Sequence, residues 1–438
     1  MVEVLVIVVI VVGGIYWWLK RRLSFWKRRG LVYVKPRLLM GNLRKKHHIA
    51  LAIAESYTKL SMKAQLGGFY VLQRATILPL DAHLVAKILH EDSPHFTMDE
   101  YRDYIKRDFV MSDSTWKNIW PRAMSIACDF TMTHGHINAF DTSLRYNVQF
   151  IAHCFLGWST KDPKLGDLEK LARKYLKLST MKHMKNIFNQ AYPQITSLLG
   201  VCPMNDIQKS FEKLIAEHET NDKHYLKLIK TIVNGQSVGK KIDLENVRRG
   251  AFGLFIAAIE ASVGTTAFCM YELAKSQDIQ NILRREITHI LPKSHHHHIT
   301  YENMAQMKYT DSVIFETLRK YPPIGCTWRI TRKEYYVPNS TYIIEEGMPV
   351  VVPVYAIHHD PRYYVNPEKF DPQRFLSGMA EGTFLPFGRR DAISIEMHFA
   401  IMQIKLMLVT LLKEFHISQP QPDALAINPK APTLTPKK

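Results

Sequence analysis

Hydrophobic positions along this chain follow a helical period over most of its length, with strand-like alternation in a few short stretches. Val4 to Trp18 is apolar on every face, with six Val, three Ile and one Leu, and a basic cluster follows at Lys20, Arg21, Arg22, Lys27, Arg28 and Arg29. A run without a polar face suits lipid better than a protein core. With only Glu3 before it and the basic cluster after it, it does not fit a cleaved leader. The run is shorter than the ~20 residues that span a bilayer, so Trp17, Trp18 and a snorkelling Lys20 must reach the interface. The positive-inside rule then keeps the body of the protein on the cytoplasmic side. The pattern predicts a transmembrane signal anchor over residues 1–22 and a basic, Pro-containing linker over residues 23–45.

Further along, Lys63 to Leu80 alternates apolar residues (Phe69, Val71, Ile77, Pro79), which predicts short strands of a small sheet. Ala82 to Leu89 returns to helical spacing. Asn138 to Glu217 is mostly helical by period, with Lys170, Arg173, Lys174 and Lys177 read as solvated faces. Gly250 to Ala274 and His398 to Leu412 are long apolar helices. Tyr342 to Ile357 alternates apolar and turn residues, as a sheet does.

Composition narrows the picture. The chain has 438 residues, 46% of them hydrophobic, enough for one large domain or two. Its net charge of +18 is spread along the chain, and the densest basic run follows the apolar N-terminal segment. A membrane surface and an acidic protein partner therefore fit better than nucleic acid. Cys128, Cys154, Cys202, Cys269 and Cys326 stand singly in apolar contexts, which reads as buried reduced thiols and not as a disulfide framework. Four consecutive histidines, His295 to His298, have no Cys or carboxylate at ligand spacing and read as a surface loop.

The stretch Phe384 to Ala400, FLPFGRRDAISIEMHFA, leads a tight loop into an apolar helix, an arrangement that can hold one backbone position against a flat cofactor. It resembles the haem-ligand loop of the cytochrome P-450 family, the haem-thiolate monooxygenases, with Phe387, Gly388, Phe399 and Ala400 in register. The segment DSVIFETLRKYPP carries Glu316 and Arg319, adjacent on a helix surface, and FDPQRF supplies Arg374. In the family these three form a buried charged triad. The linker is similar to that of microsomal members, insect ones in particular. The resemblance runs from the N-terminal segment to about Pro429, essentially the whole chain. It implies a mainly α fold with small β-sheets (α+β), a haem-binding catalytic domain over residues 46–438 with its haem loop at 384–400, and haem b as cofactor. It further implies an NADPH-cytochrome reductase as electron donor, small lipophilic substrates, and the endoplasmic reticulum membrane as location.

The resemblance also assigns site residues and shows where this chain departs from them. Trp116 and Arg329 fall at propionate-contacting positions, but the arginine one helical turn after Trp116 is Trp120 here. In the central helix, the oxygen-handling acid is Glu260 and the threonine beside it is Ala261. A hydroxyl relays protons to bound oxygen while the acid connects to water, so proton delivery is expected to be impaired. The axial cysteine position is Ser394, whose hydroxyl is far less acidic than a thiol. Arg390, Asp391, Ala392, Glu396 and His398 also depart from the family pattern. These departures imply a cytochrome P-450-like membrane protein that is impaired or inactive as a monooxygenase. Three alternatives stand beside that reading: an active monooxygenase with a sequence fault in the loop, a non-catalytic binding protein, and a haem protein using another ligand.

Overall fold

The computed structural model describes residues 2–44, 47–98, 113–131, 137–177, 180–192, 195–196, 205–217, 244–291, 299–377, 382–387, 395–419 and 426–436. The chain is mostly helical with small sheets and divides into two compact units, each assembled from three chain segments.

One unit comprises Met1–Asp99, Ser179–Pro203 and Ile324–Val365. Its sheet uses β1 (Leu66–Val71), β2 (Arg74–Pro79), β3 (Phe96–Met98), β4 (Thr327–Thr331) and β7 (Pro349–Val352), in the order β1-β2-β7-β4-β3. Among the pairings of these described strands, β2–β7 is parallel and the others are antiparallel. A separate pair, β5 (Tyr335–Tyr336) and β6 (Ile343–Ile344), is antiparallel. The strands expected over Lys63 to Leu80 are β1 and β2, but all six residues of β1 are buried, because both of its faces are covered. Trp26 seals one of them: fully buried, it donates its indole N–H to the Phe69 carbonyl at 3.1 Å. A Cβ at Gly68 would lie 2.4 Å from that ring, so only glycine fits there. The stretch expected to be sheet from Tyr342 to Ile357 ends otherwise, in a short helix at Val354–His358.

This unit also holds a buried acid. Asp360, 6% exposed, accepts hydrogen bonds from the Arg362 side chain at 2.7 Å, the Arg362 backbone N–H at 2.9 Å and the Tyr57 hydroxyl at 2.8 Å. Burial alone pushes its carboxyl up, but these donors and the guanidinium charge outweigh burial and hold it below the ordinary 3.8. A carboxylate lowered in the folded state stabilises that state above its unfolded value, and the contribution is lost as pH falls through the folded value. The stability difference between the native protein and Asp360→Asn is therefore expected to shrink as pH drops below 3.8. Urea midpoints measured across that range test this, and a gap that widens toward acid would contradict it.

The other unit comprises Glu100–Leu178, Met204–Pro323 and Asn366–Lys438. Its axis is the helix Leu244–Lys275, which covers the predicted apolar stretch Gly250 to Ala274. Most of its apolar span is buried, as expected of a core helix. Helices Ala139–Cys154, Lys308–Lys320 and Ile395–Glu414 pack against it. The last of these contains the predicted His398 to Leu412 helix. At Gly264 the central helix meets the C-terminal segment: a Cβ there would lie 2.5 Å from the Leu434 carbonyl oxygen.

Candidate active site

Helix Asp113–Thr131 presents Trp116 and Trp120, one turn apart and both buried. The Trp116 ring stacks on Phe399 at 5.9 Å and 17° and on Tyr301 at 6.4 Å and 12°, and it lies 6.3 Å from the His398 ring. Its indole N–H is buried and has no hydrogen-bond partner among the described residues. An orphaned buried donor costs roughly 1–3 kcal/mol unless an acceptor is supplied. The Trp120 N–H, by contrast, donates to the Ile299 carbonyl at 2.7 Å. At the position where the resemblance expects an arginine, the chain thus places a core indole already engaged within the protein.

On the central helix, the Glu260 carboxylate accepts a hydrogen bond from the Tyr175 hydroxyl. Ala261 is buried and offers only its carbonyl, which accepts from the Thr265 hydroxyl at 2.8 Å. The Thr266 hydroxyl donates to the Ser262 carbonyl at 2.8 Å. Both threonines therefore bond back into their own helix and offer no hydroxyl beside Glu260. Tyr175, the acid's partner, escaped sequence reasoning. It lies in a helix of high charge whose inward face gave no chemical signal.

Glu316, Arg319 and Arg374 come together. Glu316 and Arg319 are fully buried, with paired contacts of 2.7 and 2.9 Å, and Arg374 Nε lies 3.5 Å from Glu316 Oε1. Backbone completes the cluster: Arg319 donates to the Pro367 carbonyl at 2.7 Å, Arg374 to the Asn366 carbonyl at 3.0 Å, and the Asp371 N–H donates to Glu316 at 2.9 Å. The cluster ties helix Lys308–Lys320 to the segment leading toward the loop. That segment continues through Phe384, whose ring packs on Phe375 at 5.0 Å and Phe315 at 5.9 Å, to a half-buried Phe387.

Arg329, on β4 of the other unit, is buried and donates to the Thr327 hydroxyl at 3.0 Å and the Trp328 carbonyl at 2.7 Å. Ser394 lies outside the described residues, as do Arg390, Asp391, Ala392, the side chain of Glu396 and His295 to His298. No cluster of metal-ligating side chains occurs among the described residues.

The family profile for Cytochrome P450 matches residues 97–438. The chain is 30% identical to probable cytochrome P450 6a18 of Drosophila melanogaster, over 95% of this chain and 93% of that protein. It is 28% identical to cytochrome P450 6j1 of Blattella germanica, over 95% and 92%, and 27% identical to cytochrome P450 6A1 of Musca domestica, over 94% and 92%. The chain belongs to the cytochrome P450 family and is of insect type. Membership places it in a class of monooxygenase-type haem proteins that draw electrons from a reductase and act on lipophilic compounds.

The residues present fit that cofactor only in part. The buried Trp116 N–H suits an anionic acceptor such as a haem propionate. The thiols of Cys128, Cys154 and Cys269 do not suit an iron thiolate. Burial pushes Cys269 up to about 12 and Cys154 higher still, and also raises Cys128, so these sulfurs are held protonated.

Proposed function

We propose that this chain is a membrane-anchored cytochrome P450 that keeps the family scaffold and has lost thiolate-dependent oxygen activation. The observation that carries this is the serine at 394, where alignment with the family expects the iron-binding cysteine. Two further departures support it at separate places: Ala261 offers no hydroxyl beside Glu260, and Trp120 stands for a charged propionate contact. Glu260, held by Tyr175, then serves as a pocket acid and not as part of a proton relay. The Glu316–Arg319–Arg374 cluster acts as a structural lock, with Trp116 and Phe387 facing the cofactor, and the family resemblance gives Arg329 a propionate contact. What remains suits the binding of a small lipophilic ligand.

In this reading residues 1–22 anchor the chain in the endoplasmic reticulum membrane, residues 23–45 form the linker, and residues 46–438 form the domain, on the cytoplasmic side. The exposed, apolar helix Val2–Leu23 supports it, being long enough to cross a bilayer. An NADPH-cytochrome reductase would be the partner of an active copy.

Reduced full-length protein exposed to carbon monoxide is expected to lack the absorption band of thiolate-bound ferrous haem. That band at full occupancy would overturn the proposal. Ser394→Cys alone is expected to restore no turnover, since Ala261, Trp120 and the neighbouring loop residues are unchanged. Recovery by that one substitution would show that the missing sulfur is the only lesion.

A further inference from the structure

A cavity of about 560 Å³ opens beside helix Gln277–Ile290 and is lined by Asn281, Arg284, Arg285, Thr288 and His289. These positions recur at three- and four-residue spacing, so one face of the helix supplies them all. That lining holds two arginines and a histidine and no acid.

Arg284 is fixed in place. Its Nη1 donates to the Leu412 carbonyl at 2.7 Å and the Phe415 carbonyl at 2.6 Å, at the C-terminal end of helix Ile395–Glu414. Both acceptors are neutral, so the guanidinium keeps its charge. Its Nε and Nη2 make no hydrogen bond among the described residues. No carboxylate pairs with Arg284 or Arg285 among those residues either. The adjacent acid, Glu286, is engaged elsewhere: it accepts from the Tyr309 N–H at 2.7 Å, the Thr310 N–H at 2.9 Å and the Thr310 hydroxyl at 2.6 Å, in the first turn of helix Lys308–Lys320.

The helix dipole favours cations in a last turn, which accounts for charge at Arg285 and His289 but not for a hollow between them. The same dipole opposes an anion there with only about half an elementary charge, against two full guanidinium charges. A guanidinium presents its N–H groups as a planar fork that matches phosphate oxygens in pairs. The Asn281 amide and a neutral His289 imidazole each add an N–H donor. A carboxylate has two oxygens and one charge to offer this set, whereas a phosphate monoester has three oxygens and about two charges. The volume lies within the ~300–1,000 Å³ of small-molecule sites, so the group bearing the phosphate also has room. A protein partner would want ~800 Å² of matched surface with its charges spread over it, not gathered on one hollow.

We propose that Arg284, Arg285 and His289 form a binding site for the phosphate group of a small phosphate monoester. The site uses none of the haem-side residues, and it stands whether or not oxygen activation is retained.

The test titrates the detergent-solubilised full chain with glycerol 3-phosphate at low ionic strength and reads binding from broadening of the phosphorus NMR line. The native protein is expected to bind with a dissociation constant on the order of 1 mM, as a few charged hydrogen bonds allow. Inorganic phosphate is expected to displace the probe at least about tenfold more effectively than methanesulfonate, a monoanion of similar shape. Arg285→Gln and His289→Gln together leave Arg284 and its two carbonyl contacts in place. That double variant is expected to bind at least about tenfold more weakly, the effect of one charged hydrogen bond, at an unchanged urea midpoint. A native protein that leaves the line sharp overturns the proposal. Full-strength binding by the double variant puts the anion elsewhere and overturns it as well. Equal displacement by methanesulfonate reduces the hollow to a diffuse positive surface, which also rejects the site.

Discussion

Glu316→Ala is expected to destabilise the protein by about 3–5 kcal/mol, the usual cost of stripping one partner from a buried ion pair. Glu316 accepts two hydrogen bonds from Arg319 and one from the Asp371 N–H, and faces Arg374. Arg319 is fully buried, so without the carboxylate its charge sits in the core deprived of its paired acid, with the Pro367 carbonyl accepting from one N–H. The penalty comes mainly from that stranded charge, more than from the lost attraction. Glu316→Gln retains one acceptor oxygen and is expected to cost less. Glu345→Ala provides the contrast. Its bond to Arg29 is short, 2.6 Å, but both side chains are substantially exposed, at 33% and 47%, and the change should fall within about 1 kcal/mol. Thermal and urea unfolding of the three variants give the ordering, and a Glu316→Ala protein as stable as Glu345→Ala would refute it.

Gly264→Val is the second large effect. The central helix approaches the C-terminal segment so closely at this point that even a methyl group would meet the Leu434 carbonyl oxygen at 2.5 Å. Backbone cannot give way as a flexible side chain can. The Leu434 N–H is held by the Pro323 carbonyl at 3.2 Å, and the segment closes on itself through the Ile427–Pro436 bridge and the bond from the Asn428 N–H to Thr435 at 2.8 Å. Overpacking of this kind costs about 1–3 kcal/mol. The strain is expected to be relieved by displacing residues 426–436, so limited proteolysis should cut there faster in the variant. Unchanged cleavage and an unchanged midpoint would mean that the helix shifts instead.

The sequence already revealed much of this, for reasons that differ from place to place. The long helices at Leu244–Lys275 and Ile395–Glu414 announce themselves because burial on all sides demands apolar residues throughout. Glu316 and Arg319 could be paired from spacing alone, since residues three apart share a helix face, and only the addition of Arg374 needed the family resemblance. The short helix Val354–His358 was hidden because a buried turn of helix and a buried strand are equally apolar. Contacts between distant segments left no local trace. Nothing in the residues around Tyr175 points to Glu260, and Gly264 looks like any helical glycine until Leu434 is placed beside it. The Trp120 indole could have been read either way, and only its bond to the Ile299 carbonyl shows it to be part of the core.

The rings gathered around Phe399 have a bearing on how such a chain persists. Trp116, Phe150 and Phe155 all lie within 6 Å of it, and Tyr301 stacks on Trp116. Side chains from four separate helical segments thus form a nucleus held together by ring packing, with the Trp116 N–H left for an acceptor. A nucleus of this kind makes the durability of the folded domain independent of whether the family's chemistry is retained.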